Sequence, residues 1–385
     1  MTASVPDRPG APPTILHLHS TFDLGGKEAR AVRLMNAFGG RFRHRIVSAV
    51  PGAVAALAEI DKGVDAALAY DFPPLAGRSS PVRLRALAAA IKPYDLVLTY
   101  NFGAMDAVMA RRAFGGPPLV HHEDGFNEDE REKQKWQRVA YRRMALPGAG
   151  RLVVPSHMLE DIARQSWKQP ERRVVRVPNG IDASAFADPP PADAIPGARK
   201  APDEIWIGTL AGLRPIKNLP RLVEAYAFAQ KIHRAKARLV IVGEGPERGA
   251  IRQQADALGI GDQLLMPGFL SNPASYVGLF DIFALSSDSE QFPISLVEAM
   301  AAGKAAACTA VGDIPRMVAE ENVPLLARTD DAKALGRNIA RLMGDTGLRE
   351  RLGQANREKA AREYDEGVMI ETYRALYEGA LAGQG

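Results

Sequence analysis

The 385-residue sequence holds one cysteine, Cys308, so no disulfide can form within the chain, and nowhere do Cys and His fall at zinc-ligand spacing. A reducing compartment is the expectation, with no metal ligand set. No stretch reaches the roughly 18 consecutive apolar residues that a membrane-spanning helix needs. Met1–Pro13 is proline-rich, carries Asp7 and Arg8 and has no apolar core, so it is expected to be neither signal peptide nor membrane anchor. No 20–50-residue repeat, long charged tail or nucleic-acid-binding motif is present, and nucleic acid is not an expected partner. No D-x-D follows an apolar strand. Aromatic residues make up only 6%.

What is present is a chain too long for one hydrophobic core, which stops growing near ~250–300 residues. Charge divides it unevenly: residues 1–187 carry 26 Lys+Arg and 19 Asp+Glu, against 23 and 26 in the remainder, or +7 and −3. A basic half can steer anionic partners such as phospholipid head groups, and a solvated Arg-rich surface accounts for it equally well.

Short β-branched or Leu-rich runs alternate with amphipathic stretches at Thr14–His19, Arg45–Val50, Leu96–Tyr100, Leu119–His122 and Leu152–Pro155. The rhythm restarts at Glu204–Leu210, Arg238–Val242, Gln263–Met266, Ile282–Ser286 and Ala305–Cys308. This is the pattern of parallel sheets covered on both faces, so the fold class is α/β with two doubly wound domains. The boundary falls near residue 187, giving domains 1–187 and 188–364. Asp188–Lys200, with four prolines, reads as a linker or an excursion loop. A final helix over about 365–385 has Val368, Ile370, Tyr373, Leu376, Tyr377 and Ala380 as its buried stripe, free by its periodicity to pack on either domain.

The chemistry-bearing run is SSDSEQFPISLVEAMAAG at Ser286–Gly303. A strand ends in small polar residues, Phe292-Pro293 turns the chain, and a helix starts near Ile294. Ligands of open parallel sheets bind beyond the carboxyl ends of the strands, where helix N-termini offer unpaired N–H groups to phosphate. Glu290 precedes this helix. Glu298 sits inside it among apolar residues, where a buried carboxylate needs hydroxyl partners. Alone, E-x7-E is equally served by a capping acid and a structural ion pair.

Companion motifs stand in order around it: Leu24-Gly25-Gly26-Lys27-Glu28, Val153-Val154-Pro155-Ser156, Val177-Pro178-Asn179-Gly180-Ile181-Asp182, Gly212-Leu213-Arg214-Pro215-Ile216-Lys217-Asn218, Val242-Gly243-Glu244-Gly245-Pro246, Pro267-Gly268-Phe269-Leu270 and Val311-Gly312-Asp313-Ile314-Pro315. The set resembles family 4 retaining glycosyltransferases, whose GT-B fold is two facing Rossmann-like domains with a cleft between them. The resemblance implies that Glu298 binds the donor's ribose hydroxyls and that Glu290, with the backbone N–H groups of Phe292, Pro293 and Ile294, contacts the transferred sugar. It implies further donor contacts at Gly25, Gly26, Gly243, Glu244, Phe269 and Leu270, and it places Lys217 on the leaving diphosphate. The donor's own phosphate oxygen would take the acceptor proton. The family's usual Arg five residues before Lys217 is Gly212 here, and Arg214 is its expected substitute. Gln291 and Asp313 also stand where Gly is usual, beside the donor sugar. The family has a His near the end of the fourth strand, close to the reacting sugar. His121 is taken for that place, with His122 on the opposite strand face.

The reading that results is a metal-independent retaining glycosyltransferase with no cofactor. A UDP- or GDP-sugar is donor and a saccharide or lipid-linked molecule acceptor, as in cell-surface polysaccharide or glycolipid synthesis. The location is cytoplasmic, with the inner face of the plasma membrane as a peripheral surface. A nucleotide-sugar epimerase on the same scaffold, needing no acceptor, and a non-catalytic nucleotide-sugar-binding subunit are the alternatives.

Overall fold

The computed structural model describes residues 10–23, 25–125 and 134–383. Leu24 of the first glycine motif and the first nine residues of Met1–Pro13 lie outside them. Two compact units form, residues 1–178 with 369–385 and residues 179–368.

In the first unit seven parallel strands line up in the order β3-β2-β1-β4-β5-β6-β7. They are β1 (Thr14–His19), β2 (Arg43–Ser48), β3 (Ala66–Leu68), β4 (Leu96–Tyr100), β5 (Leu119–His122), β6 (Arg151–Val154) and β7 (Val174–Arg176). Both faces of the sheet are covered, so every residue of β1 and β4 is buried, His17 and His19 of β1 included. Helices α1 (Gly26–Phe38) and α12 (Glu366–Leu381) cover one face through Leu34, Met35, Tyr373 and Tyr377. The other is covered by α2 (Pro81–Ile91), α3 (Met105–Phe114), α4 (Trp136–Ala145) and α5 (His157–Gln165). Leu16, Val97, Leu119 and Leu152 meet that second layer.

The second unit holds six parallel strands in the order β10-β9-β8-β11-β12-β13. These are β8 (Ile205–Leu210), β9 (Ala237–Val242), β10 (Leu264–Gly268), β11 (Ile282–Leu285), β12 (Ala305–Thr309) and β13 (Leu326–Ala327). One face carries α6 (Leu219–Ile232), α7 (Arg248–Ala257) and α10 (Ala332–Gly344). The other carries α8 (Ile294–Ala301) and α9 (Ile314–Met317), together with Ala360 of α11 (Thr346–Glu363) and Tyr364 just after it. Cys308 is fully buried in β12, and burial pushes its thiol up to about 12, so it is no nucleophile at neutral pH.

Three expectations change. The division between units falls after Pro178 rather than near 187, because Ile181 and Phe186 are buried in the second unit's core. Of the two readings of Asp188–Lys200, the linker is set aside for an excursion packed on the second unit: Ile195 is fully buried in that same core, and Pro190 lies against Gly278. On α12 the buried residues are Met369, Tyr373, Tyr377 and Ala380, while Val368 is half exposed, so the stripe starts one residue later than expected. The helix crosses the division, and its residues from Met369 onward belong to the first unit.

Candidate functional site

In each unit the strand order reverses beside the first strand, between β1 and β4 and between β8 and β11. The crevice at such a reversal, outside the carboxyl ends, is where open α/β sheets bind ligands. In the second unit the loop after β8 and the loop after β11 lie against each other there. Asn218 adopts a left-handed conformation, φ 42° and ψ 51°, which Asn tolerates, and it caps α6 by accepting from the Arg221 N–H. Its amide donates to Asp288 at 3.2 Å. The Asp288 N–H donates to the Ile216 carbonyl at 2.9 Å, and the Ser286 hydroxyl to the Lys217 carbonyl at 3.0 Å. Arg221 reaches the Ser286 carbonyl at 2.8 Å and Asp288 at 2.7 Å.

These ties bring together residues 73 positions apart. Lys217 Nζ donates to Glu290 Oε1 at 2.5 Å, and the Ser287 hydroxyl donates to the same oxygen at 2.6 Å. Charge-assisted bonds this short are the strong kind, and both partners are largely buried. The Ser287 carbonyl in turn accepts from Thr309 of β12 at 2.7 Å. Gly312 has φ +55°, and a Cβ there would stand 1.8 Å from the Glu290 carbonyl oxygen. Only glycine lets the loop after β12 approach so closely. Asp313, next to it, is buried at the start of α9.

Glu298 differs from Glu290. It is half buried on α8 and has no hydrogen-bond or ionic partner among the described residues. Burial pushes its carboxyl up to about 7. Tyr276 lies close enough for the Glu298 charge to act on it, after burial, and the Tyr276 hydroxyl donates to the Leu270 carbonyl at 3.3 Å. Phe269 beside it is exposed. At the end of β9, Gly243 has φ +142°, and a Cβ there would be 1.9 Å from the Ala211 carbonyl oxygen, so the loop after β8 presses on this glycine. Glu244 is exposed and pairs with Arg248 at 3.2 Å. Arg214 is exposed, and its Nε lies 3.4 Å from where a Cβ on Gly212 would stand.

Pro293 cannot take the expected role of backbone donor, since proline has no N–H. Pro293 is the residue before the helix, and the N–H groups of Ile294 and Ser295 have no acceptor among the described residues. Ser295 is the donor that the spacing of the motif did not single out.

The remaining expected residues belong to the first unit. Gly25 is the extended residue before α1, with φ −147°, and Gly26 begins the helix. Lys27 pairs with Glu28, and Arg30 forks onto Asp124. His121 is fully buried, its Nδ1 2.8 Å from the Thr99 hydroxyl and its Nε2 3.5 Å from Glu123, which Arg142 holds at 3.3 Å. Both ring nitrogens are engaged, so His121 is part of a buried chain rather than an open acid or base. His122 projects to the opposite face, as strand geometry requires, where its Nε2 meets the Tyr377 hydroxyl at 3.0 Å. His19, at the end of β1, stacks on Tyr100 at 3.9 Å and has neither ring nitrogen hydrogen-bonded.

Residues 24–185 match the family described as Glycosyltransferase Family 4, and residues 193–359 match Glycosyl transferases group 1. The two matches fall one on each unit and both describe glycosyltransferases, and the two doubly wound units have the GT-B fold. It is 28% identical over 172 residues to N-acetyl-alpha-D-glucosaminyl L-malate synthase of Bacillus anthracis, covering 45% of each chain. It is also 28% identical over 244 residues to phosphatidyl-myo-inositol mannosyltransferase of Mycolicibacterium smegmatis, covering 61% of this chain and 58% of that one. The match thus spans about half the length of these curated relatives. Among solved structures, HepE of Anabaena in complex with UDP superposes with a TM-score of 0.77 at 19% identity, over 95% of this chain and 100% of the other. That similarity establishes the fold. No helix of the described residues is long and apolar enough to cross a membrane.

Proposed function

We propose that the protein is a retaining, metal-independent glycosyltransferase that moves a sugar from a UDP- or GDP-sugar to a saccharide or lipid-linked acceptor. The setting is cell-surface glycan or glycolipid synthesis on the cytoplasmic side. The observation that carries this is the pairing of Lys217 with Glu290 in the loops after β8 and β11, together with a half-buried Glu298 in the helix that follows, whose carboxyl has no partner among the described residues. HepE bound to UDP, and also solved with UDP-glucose, supports a nucleotide-sugar donor.

The polar groups divide the work. Ribose hydroxyls donate to Glu298, which otherwise has no partner, while Phe269 and Leu270 present backbone to the base. Lys217, with Arg214, neutralises charge as it develops on the leaving diphosphate, and the N–H groups of Ile294 and Ser295 add to it. Glu290 accepts from the transferred sugar and holds the Lys217 ammonium in place. The bond from the anomeric carbon to the diphosphate oxygen breaks, and the acceptor oxygen bonds to the same face. The acceptor proton passes to the departing phosphate oxygen. Gly25 and Gly26 present backbone to the acceptor or diphosphate, and His121 positions the Glu123–Gly125 loop through Glu123.

Purified protein is incubated with UDP- and GDP-sugars and a panel of saccharide and lipid-linked acceptors, and product anomers are read by NMR. Transfer with retained configuration that Lys217→Ala lowers at least ~100-fold is expected from the size of electrostatic contributions of this kind. An epimer formed from donor alone would identify an epimerase. Donor binding without turnover across the panel would identify a binding subunit.

A further inference from the structure

The first unit has a cavity of about 520 Å³ at the amino end of its sheet, the end opposite His19 and Gly25. It is lined by Arg111, Arg151 and Arg173, and by Pro147, Leu376 and Ala380 among apolar residues, with no acidic side chain. Its volume is in the range of small-molecule sites, ~300–1,000 Å³.

Three separate stretches supply the arginines. Arg111 is in the last turn of α3, Arg151 begins β6, and Arg173 immediately precedes β7. All three are half buried. Arg111 Nε donates to the Pro117 carbonyl and its Nη1 to the Gly148 carbonyl, both at 2.6 Å, which fixes the guanidinium. Arg173 Nη1 donates to the Pro147 carbonyl at 3.1 Å, and Arg151 Nη1 to the Gly150 carbonyl at 3.2 Å. A guanidinium has five N–H donors, so these bonds leave donors over on Arg111 and Arg173, neither of which pairs with a carboxylate among the described residues. Burial first, then the charge of Arg173, lowers the proton affinity of Arg111 below its ordinary value. The charge of Arg173 acts on Arg111, and an anion bound between two guanidiniums relieves such repulsion.

We propose that this cavity binds a phosphate ester, its phosphate held by Arg111, Arg151 and Arg173 and its organic part lying along Pro147, Leu376 and Ala380. The planar fork of arginine matches phosphate oxygens, and the apolar wall favours a ligand that is not a bare ion. A soluble ester and a phospholipid head group share this chemistry. The site belongs to the first unit alone and involves none of the residues assigned to donor chemistry.

The test uses the full chain carrying Lys217→Ala, so that phosphate does not report on the donor side. Inorganic phosphate is titrated by calorimetry, and vesicles of phosphatidylglycerol or phosphatidylcholine are co-sedimented. Saturable binding of phosphate or of the phosphatidylglycerol vesicles is expected, weakened at least tenfold by Arg151→Gln and by Arg173→Gln. Either variant alone suffices if the other fails to fold. Phosphate binding without vesicle binding identifies a soluble ester, and selective binding of phosphatidylglycerol over phosphatidylcholine identifies a lipid. If neither probe binds, or if folded Arg151→Gln and Arg173→Gln proteins bind as tightly as their parent, the proposal is overturned.

Discussion

The two units treat their buried polar groups in opposite ways. In the second unit the groups at the sheet reversal are tied together: Lys217, Ser287 and Glu290 meet, and Asn218, Arg221 and Asp288 fasten the two loops that carry them. The Glu298 carboxyl and the buried Thr209 hydroxyl are left without a partner among the described residues. In the first unit, the face under α1 and α12 buries His17, His19, His44 and His122 among Tyr100, Tyr373 and Tyr377. There neither ring nitrogen of His19 has a hydrogen bond, and Nε2 of His44 and the Tyr373 hydroxyl have none either. Lys27 and Arg30, beside His19, oppose any further positive charge. The second unit has spent its polar groups on fixing a constellation, and the first holds neutral imidazoles that fold stably only while uncharged.

Acid should therefore break the comparison most strongly. Burial holds His17, His19 and His122 well below their ordinary value, and holds His44 at about 4. The unfolded chain binds protons more readily than the folded one. The stability these groups allow is complete above about pH 6.5 and is lost as pH falls, at about 1.4 kcal/mol per pH unit for each histidine. For His44 the loss ends near its folded value of about 4. Hydrogen exchange followed by mass spectrometry at pH 7.5 and pH 5 should show β1, β4 and β5 losing protection while β8, β9 and β11 keep theirs.

A glycine substitution tests the tightness of the second unit. Gly312→Ala forces a side chain onto the Glu290 carbonyl at a positive φ, and about 2–4 kcal/mol of destabilisation is expected by urea unfolding. Glu298→Gln should act in the other direction. Its ionisation penalty is absent below 4.5 and complete above about 7, so the variant gains about 1–2 kcal/mol at pH 8 and nothing at pH 4. Thermal melts at the two pH values check this. The smallest effect is that of Arg214→Ala, expected to lower turnover about tenfold, an exposed cation contributing about 1.4 kcal/mol to the transition state. Turnover unchanged in Arg214→Ala, alongside its collapse in Lys217→Ala, would remove Arg214 from the mechanism.

Much of the second unit was legible because its motifs have local causes. Gly243 and Gly312 are glycines because neighbouring carbonyl oxygens occupy the space of a Cβ, and Gly180 because the backbone of Asp365 and Glu366 does. Strands of two or three residues such as β3, β7 and β13 carry too few positions for a periodic signal, and they were not read. The unit division was misplaced because Ile181, Phe186 and Ile195 are single apolar residues in proline-rich surroundings, whose burial depends on distant partners. The role given to His121 suffered similarly. Strand alternation correctly sends His121 and His122 to opposite faces, but periodicity is blind to Glu123 and Arg142 closing over the first and Tyr377 of the last helix meeting the second. The cluster of four buried histidines spans three strands and left no mark within any one segment.

The central claim is that the carboxyl ends of the second sheet hold a nucleoside diphosphate sugar through Glu298. Thermal stability of the wild-type chain and of Glu298→Gln, measured against UDP-, GDP-, ADP- and CMP-sugars, tests it directly. The account predicts that one base class stabilises the wild type by about 2.7 kcal/mol at 100 times its dissociation constant. Glu298→Gln should require at least tenfold more of the same donor for an equal shift. Equal donor affinity in the two proteins, or no stabilisation of the wild type by any of the four, would contradict it.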